Sequence, residues 1–307
     1  MYWIVPLNFT PTALNNQGVV VGYRRVANPE KFAFEAIKWK KGQFTRLGTF
    51  GSRNAIAADV NDQETILIGT DPGQGQMGGW HYIVVRIDGH QDTIEGMLDE
   101  DFVYLYRLNN LNQLVGSLCS RAGTSKGFIW SKQAQVTIKT EGSCSLQYIN
   151  DIGQAVGYGP SPNTTSASRI PVIWTNSSIW PLETPFGGGN AQDINNDGWS
   201  VGSYIDLTQT TSSTVLPALW NEKGQLFKLQ NLGFAGAGLR INIHGVILGM
   251  LDERPVIWLS STAKPYFFAD IVKNIKITNI IDFNDSGQIL VKGERYNNDG
   301  YFLLVPR

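Results

Sequence analysis

The chain has 307 residues, with 25 Lys+Arg against 26 Asp+Glu and a formal charge of -1. That near-balance argues against a nucleic-acid or anionic-membrane surface, where a basic excess does the attracting. No run of about 18 apolar residues occurs, so no membrane span is expected, and two cysteines, Cys119 and Cys144, exclude a disulfide-rich scaffold.

The chain opens on "MYWIVPL", whose Tyr2 to Val5 reads as a strand without a repeat unit of its own. It lacks a basic region followed by a long apolar stretch, so no signal peptide is expected in it. From there a motif recurs loosely, with a degenerate copy at Val60: apolar, Asn, Asn or Asp, any residue, Gly, any residue, two apolar residues, Gly. Its copies start at Leu14, Val60, Leu108, Ile149, Ile194, Ile241 and Phe283. The first Asn of each copy is Asn15, Asn61, Asn109, Asn150, Asn195, Asn242 and Asn284. After each copy comes a short apolar stretch, which in five of them ends in Trp39, Trp130, Trp174, Trp220 or Trp258; these tryptophans are expected in the core between units. A polar turn and one more short apolar stretch complete the unit.

Each unit thus holds four short strand-like pieces split by Gly/Asn/Asp turns, without helical periodicity. Tandem four-stranded units of about 40–50 residues are the signature of propeller blades. The expected fold is all-β: one seven-bladed β-propeller domain of four-stranded antiparallel blades spanning 1–307. The last unit stops after its third strand, at "YFLLVPR", so the N-terminal strand is expected to join the C-terminal blade and close the ring.

The pattern Ile-Asn-x-x-Gly-Gln-x-Val-Gly, then apolar-apolar-Trp, then Leu-Gly-Thr, resembles the HAF family of extracellular repeats. "TRLGTFGSRNAIAADVN", from Thr45 to Asn61, matches best. The resemblance implies a propeller-like fold and a bacterial, secreted location; it implies no activity. One stretch, "DINNDG", is also similar to the calcium loops of integrin-type FG-GAP propeller repeats. It supplies Asp193, Asn195 and Asp197 at alternate positions, with Gly198 for the turn. The ninth position, where those loops need a carboxylate, is Val201, and the twelfth, where an EF-hand needs Glu, is Tyr204. Asn, Asp and Gly also serve turns for local reasons, so the turn reading is preferred and no cofactor is expected, calcium being the one weak candidate.

Catalytic signals are thin. The three histidines, His81, His90 and His244, are scattered, and no motif gathers a nucleophile, base and orienter. The short Asn-x-x-Gly turns and the "KKGQ"-type turns share one face of the ring, called the turn face below. The loops between second and third strands, and the linkers between blades, share the other, called the loop face. Long variable loops on a rigid scaffold are where binding usually sits. The candidates on that face are Arg24, Arg25 and Arg53 for an anion, and Trp80, His81, Phe186, Tyr204 and Phe234 for stacking or anchoring. The expected function is non-enzymatic recognition of a protein partner, or of a glycan, by a monomer. A hydrolase or lyase with its site in the axial channel, or a lectin, are the alternatives.

Overall fold

The structure, a computed structural model, describes residues 2–26, 33–71, 80–94, 102–121, 123–132, 135–137, 143–161, 169–208 and 214–307. Seven four-stranded antiparallel sheets form a ring of blades. Blades 1 to 6 occupy 10–48, 55–93, 102–137, 145–181, 189–228 and 236–267. Blade 7 takes three strands from 276–306, and its outermost strand is Tyr2–Leu7, paired with Asn298–Pro306 from Tyr2↔Pro306 to Leu7↔Tyr301. The expected clasp therefore closes the ring. No helix of the described residues is long and apolar enough to cross a membrane; the one assigned α-helix is a single turn, Phe268–Ile271.

A lone blade cannot bury both faces of its sheet, so the apolar side chains must be covered by neighbours. The core accordingly falls into seven clusters, one at each blade junction. Trp220 and Trp258 are fully buried there, and their indole N–H groups donate to the linker carbonyls of Glu183 and Gln230 at 2.8 Å. That partner is what lets so large a polar-tipped ring sit in a core. Trp39, Trp130 and Trp174 pack against the clusters of their own junctions while staying partly exposed.

The recurring Asn has a physical cause. In "DINNDGWSVG", Asn195 Oδ1 accepts the N–H groups of Asp197 (3.1 Å) and Trp199 (3.0 Å), which builds the turn. Its Nδ2 donates to the carbonyl of Asn242 in the next blade at 3.1 Å. Asp lacks that donor, so the position calls for Asn. The same amide-to-carbonyl step links Asn15 to Asn61, Asn61 to Asn109, Asn109 to Asn150, Asn150 to Asn195, and Asn284 back to Asn15. Gly198 takes φ +80°, and a Cβ on Gly202 would lie 2.0 Å from the carbonyl oxygen of Asn190. Where the turn glycine is missing, Glu64 and Asn112 adopt φ +56° and +58°. Glu64 is held there by ion pairs with Lys38 and Lys40.

Several segments expected as loops belong to strands. Arg24 and Arg25 lie in Val19–Val26 and Tyr204 in Ser200–Asp206, and Phe102 and Tyr104, which follow the linker-like "MLDED", lie in the strand Phe102–Leu108. Much of the long loops lies outside the described residues.

Candidate functional site at the two ends of the axial channel

Every innermost strand carries one extra residue shortly before its Asn, a β-bulge that shifts the register. Bulges re-aim side chains. The residue two before each Asn reads, around the ring, Ala13, Asp59, Arg107, Tyr148, Asp193, Arg240 and Asp282, and five of them, Asp59, Arg107, Tyr148, Asp193 and Asp282, line a cavity of about 140 Å³ at the turn-face end of the channel.

Asp282 of blade 7 is the hub. Its Oδ1 accepts the Tyr148 hydroxyl of blade 4 and Arg240 Nε of blade 6, both at 3.1 Å, and lies 4.0 Å from Arg107 of blade 3. Its Oδ2 accepts Leu14 N–H of blade 1 at 2.9 Å. Arg107 also lies 3.5 Å from Asp59, and both guanidinium groups sit over the Tyr148 ring, at 4.7 and 5.2 Å. Contacts that join blades 3 and 4 to blade 7 span the axis and plug it.

The carboxylates double as fasteners between blades. Asp59 accepts Leu108 N–H of the next blade at 2.7 Å, and Asp193 accepts Ile194 N–H and Ile241 N–H at 2.8 and 2.9 Å. Burial pushes the Asp59 carboxyl up to about 6, against the pull of Arg107. Burial likewise pushes Asp193 up to about 7, against Arg240.

Around the plug runs a second belt, made by the residue after each Asn. Asn16, Asp62, Asn110, Asp151 and Asn196 alternate amide and carboxylate. Each backbone N–H of the first four donates to the next side chain at 2.7–2.8 Å. The Asn110 amide bridges Asp62 and Asp151 at 3.0 and 2.9 Å. A seven-membered ring cannot alternate throughout. The break falls at Ile243, which offers Asn196 no side-chain acceptor, and the belt resumes from Ile243 N–H to Asp285 and from Asp285 N–H to Asn16.

The other end of the channel is built differently. The strand Phe102–Leu108 is the innermost of blade 3, between the innermost strands of blades 2 and 4. Val103 and Leu105 are buried against blade 2, while Phe102, Tyr104 and Tyr106 are 37%, 41% and 36% exposed. Three aromatics at alternate positions of this innermost strand are therefore left open to solvent as it runs from the loop face. Their backbone is clamped by Tyr82 of blade 2, whose hydroxyl donates to the Val103 carbonyl (3.2 Å) and accepts Leu105 N–H (3.1 Å).

The sequence-derived candidates are dispersed over the blades and do not form one cluster. Arg24 pairs with buried Glu35 at 2.7 Å, shared with Arg46, and its guanidinium lies 4.9 Å from the Phe44 ring. Arg25 continues the same strand. The backbone N–H groups of Arg53 and Asn54 are tied to Asp71. Trp80 packs partly buried on the junction of blades 2 and 3, and His81 is exposed at the start of its strand. Phe186 is exposed, whereas Tyr204 is 2% exposed inside the junction of blades 4 and 5. Phe234 packs against Phe267 and Arg254. Of the calcium candidates, Asp193 points into the axial plug and Asn195 into the turn belt, so both spend their oxygens on backbone N–H groups; Asp197 donates its own N–H to Asn195. Asp59, Arg107, Tyr148, Arg240 and Asp282 were not singled out from sequence, nor was the aromatic row.

No protein-family model matches the chain, and no curated protein does. Solved structures are similar across its whole length. The β-propeller domain of the Trilobed protease from Pyrococcus furiosus aligns with TM-score 0.70 at 11% identity, over 98% of this chain and 95% of that one. That domain is described as having an open velcro topology; here the Tyr2–Leu7 strand closes the ring. An acylaminoacyl peptidase from Pyrococcus horikoshii aligns with TM-score 0.66 at 11% identity, over 99% of this chain and 51% of its own length. YCF48 bound to D1 peptide aligns with TM-score 0.58 at 10% identity, over 100% and 96%. These likenesses establish the seven-bladed propeller. At such identities they carry no activity over.

Proposed function

We propose that this chain is a non-enzymatic propeller that binds a protein partner through the loop-face mouth of its channel. The observation that carries the reading is the row Phe102, Tyr104 and Tyr106: three large rings left a third or more exposed on an innermost strand, where the ring fold buries most apolar side chains. Rigid aromatics lose little entropy on contact and dominate interface energetics. The clamp from Tyr82 holds the row in place before any partner arrives. The loops that differ from blade to blade favour a protein over a glycan, since a lectin with one site per blade repeats its site residues. One of the similar propellers, YCF48, is bound to D1 peptide, which supports this reading. The HAF-like repeats, a secreted bacterial setting and a monomeric state complete this reading.

One observation favours the rival, an enzyme with an axial site: two buried carboxyls with raised pKa values beside a polar cavity, a pattern that clusters at active sites. Against it, both oxygens of Asp193 and one of Asp59 are already spent on backbone N–H groups. The test is affinity capture from the native host with the wild type and the triple variant F102A/Y104A/Y106A, with thermal unfolding of both as control. The proposal expects a protein held by the wild type and lost from a folded variant. Equal capture by both overturns it. Turnover of a hydrolase or lyase substrate abolished by Asp193→Asn establishes the rival.

A further inference from the structure

The regularity of the turn face fails at the junction of blades 5 and 6. Four residues after its Asn, the repeat places Gln113, Gln154 or Gln288, each of which accepts the amide of that Asn at 2.7–2.9 Å. Blade 5 has Trp199 there, which offers the Asn195 amide no acceptor. The turn itself needs no indole, since Val19, Thr65 and Val246 serve the same position in other blades. The neighbouring blade puts Ile243 where the outer belt calls for Asn or Asp. Blade 6 also has the longest of the described turns between third and fourth strands, 259–265, against 86–90 and 221–225 in blades 2 and 5 and 41–42 and 176–177 in blades 1 and 4.

These departures meet in one cleft of about 280 Å³, close to the lower end of the range for ligand pockets. Asp197 and Trp199 of blade 5 and Ile243, His244, Ser260 and Ser261 of blade 6 line it. Trp199 is half-buried against the core of this junction and is braced by Phe227 of its own blade, with ring centroids 5.4 Å apart and planes at 48°. The indole N–H groups of Trp220 and Trp258 are spent on linker carbonyls, whereas that of Trp199 has no acceptor among the described residues. The side chains of Asp197, His244, Ser260 and Ser261 likewise make no hydrogen bond or ion pair among the described residues. The belts beside them spend nearly every polar group on the next blade.

We propose that this cleft binds one neutral six-membered sugar ring. The C–H face of such a ring packs on an indole, and the polar tip of the indole remains free to donate. Its hydroxyls both donate and accept. Asp197 only accepts, while the serine hydroxyls and the His244 ring do both, so the set matches a polyhydroxylated ligand. An anion would meet Asp197 with no Lys or Arg in the lining, and a purely apolar ring would leave the polar set unmatched. The site occurs once, at the irregular junction, so its residues are not repeated from blade to blade. The inference does not rest on the protein-binding reading, which concerns the opposite face.

The test is an NMR titration of protein labelled with 15N in its tryptophans, the Trp199 indole resonance being assigned by its loss in Trp199→Phe. The probes are the methyl glycosides of glucose, galactose, mannose and N-acetylglucosamine. Cyclohexanol, methyl galacturonide and cyclohexylamine serve as apolar, anionic and cationic controls. The proposal expects a saturable shift of Trp199 with at least one neutral glycoside at millimolar concentration, and binding of each control at least roughly tenfold weaker. Asp197→Asn, at an exposed position, is expected to weaken the best glycoside roughly tenfold, and Trp199→Ala to abolish its binding, with thermal unfolding of both variants as control. A disaccharide of the best sugar that binds roughly tenfold more tightly assigns an extended glycan as the source; equal binding assigns a single or terminal sugar. An unmoved Trp199 resonance at about 20 mM of every glycoside overturns the proposal. So does a control that binds as well as the best glycoside, or a folded D197N variant that binds it as the wild type does.

Discussion

The two ends of the channel use the same strands for opposite purposes. At the turn face, side chains point inward to other side chains and to backbone N–H groups of the next blade, so that Asp59, Asp193 and Asp282 each reach from one blade into another. At the loop face, Phe102, Tyr104 and Tyr106 keep exposed rings. A regular scaffold spends its polar groups on itself, and a recognition surface leaves them unspent. Substitutions at the turn face should therefore change stability and leave partner binding alone, and those at the loop face the reverse.

The largest effect tests the closure on which both ends depend. Removing residues 2–7 strips blade 7 of its outermost strand and exposes the edge of Asn298–Pro306. The melting temperature is expected to fall by on the order of 10 °C or more, measured by calorimetry. Next comes the hub. Asp282→Ala leaves Arg240, Arg107 and the Tyr148 hydroxyl without their shared acceptor. Breaking a buried pair from one side costs about 3–5 kcal/mol, which denaturant unfolding will read. Asn61→Ala removes the acceptor of Gln63 N–H and Thr65 N–H and the donor to the Asn109 carbonyl. A cost of about 1–3 kcal/mol is expected, with partner capture unchanged.

The pH dependence has a worked sign. Asp59 and Asp193 have folded pKa values raised to about 6 and about 7, above those of the unfolded chain. The folded state then binds more protons, so this contribution to stability is fully present below about pH 4 and is lost as pH rises to about 7. The two carboxyls predict unfolding free energies that fall between pH 4 and 7 and level off above. Stability that stays level over that interval would mean that both are already ionised at pH 4 and satisfied by their N–H partners. The smallest stability effect belongs to the loop face: Tyr104→Ala should change it by less than about 1 kcal/mol and weaken partner binding by about 2 kcal/mol.

How legible each end was follows from the same contrast. Regular hydrogen-bonded turns demand particular residues, so Asn195, Gly198 and their counterparts recur and the blades can be counted from them. The strand clasp followed from a missing fourth strand. The axial plug was hidden because a bulge, invisible in an apolar alternation, turns the residue two before each Asn inward. Had that column been read across the repeats, its Asp, Arg and Tyr against apolar neighbours would have marked it. The alternation of Asn16, Asp62, Asn110, Asp151 and Asn196 was likewise in plain view as the "Asn or Asp" of the motif. Phe102 and Tyr104 were assigned to a linker, because the segment before them, "MLDED", reads as one. Phe234 was singled out as a ring for a ligand; its observed neighbours are Phe267 and Arg254 of the blade it leads into, about twenty or more residues further along the chain.

The central claim is that the loop-face mouth binds and the turn face holds the ring together. A photo-crosslinking amino acid placed at position 104 and, in a second variant, at position 152 tests it most directly. Ile152 is the exposed apolar tip of a turn on the opposite face, 64% accessible beside the similarly exposed Leu111. With the partner isolated by capture, the account predicts a covalent adduct from position 104 and none from position 152. An adduct from position 152 alone would contradict it.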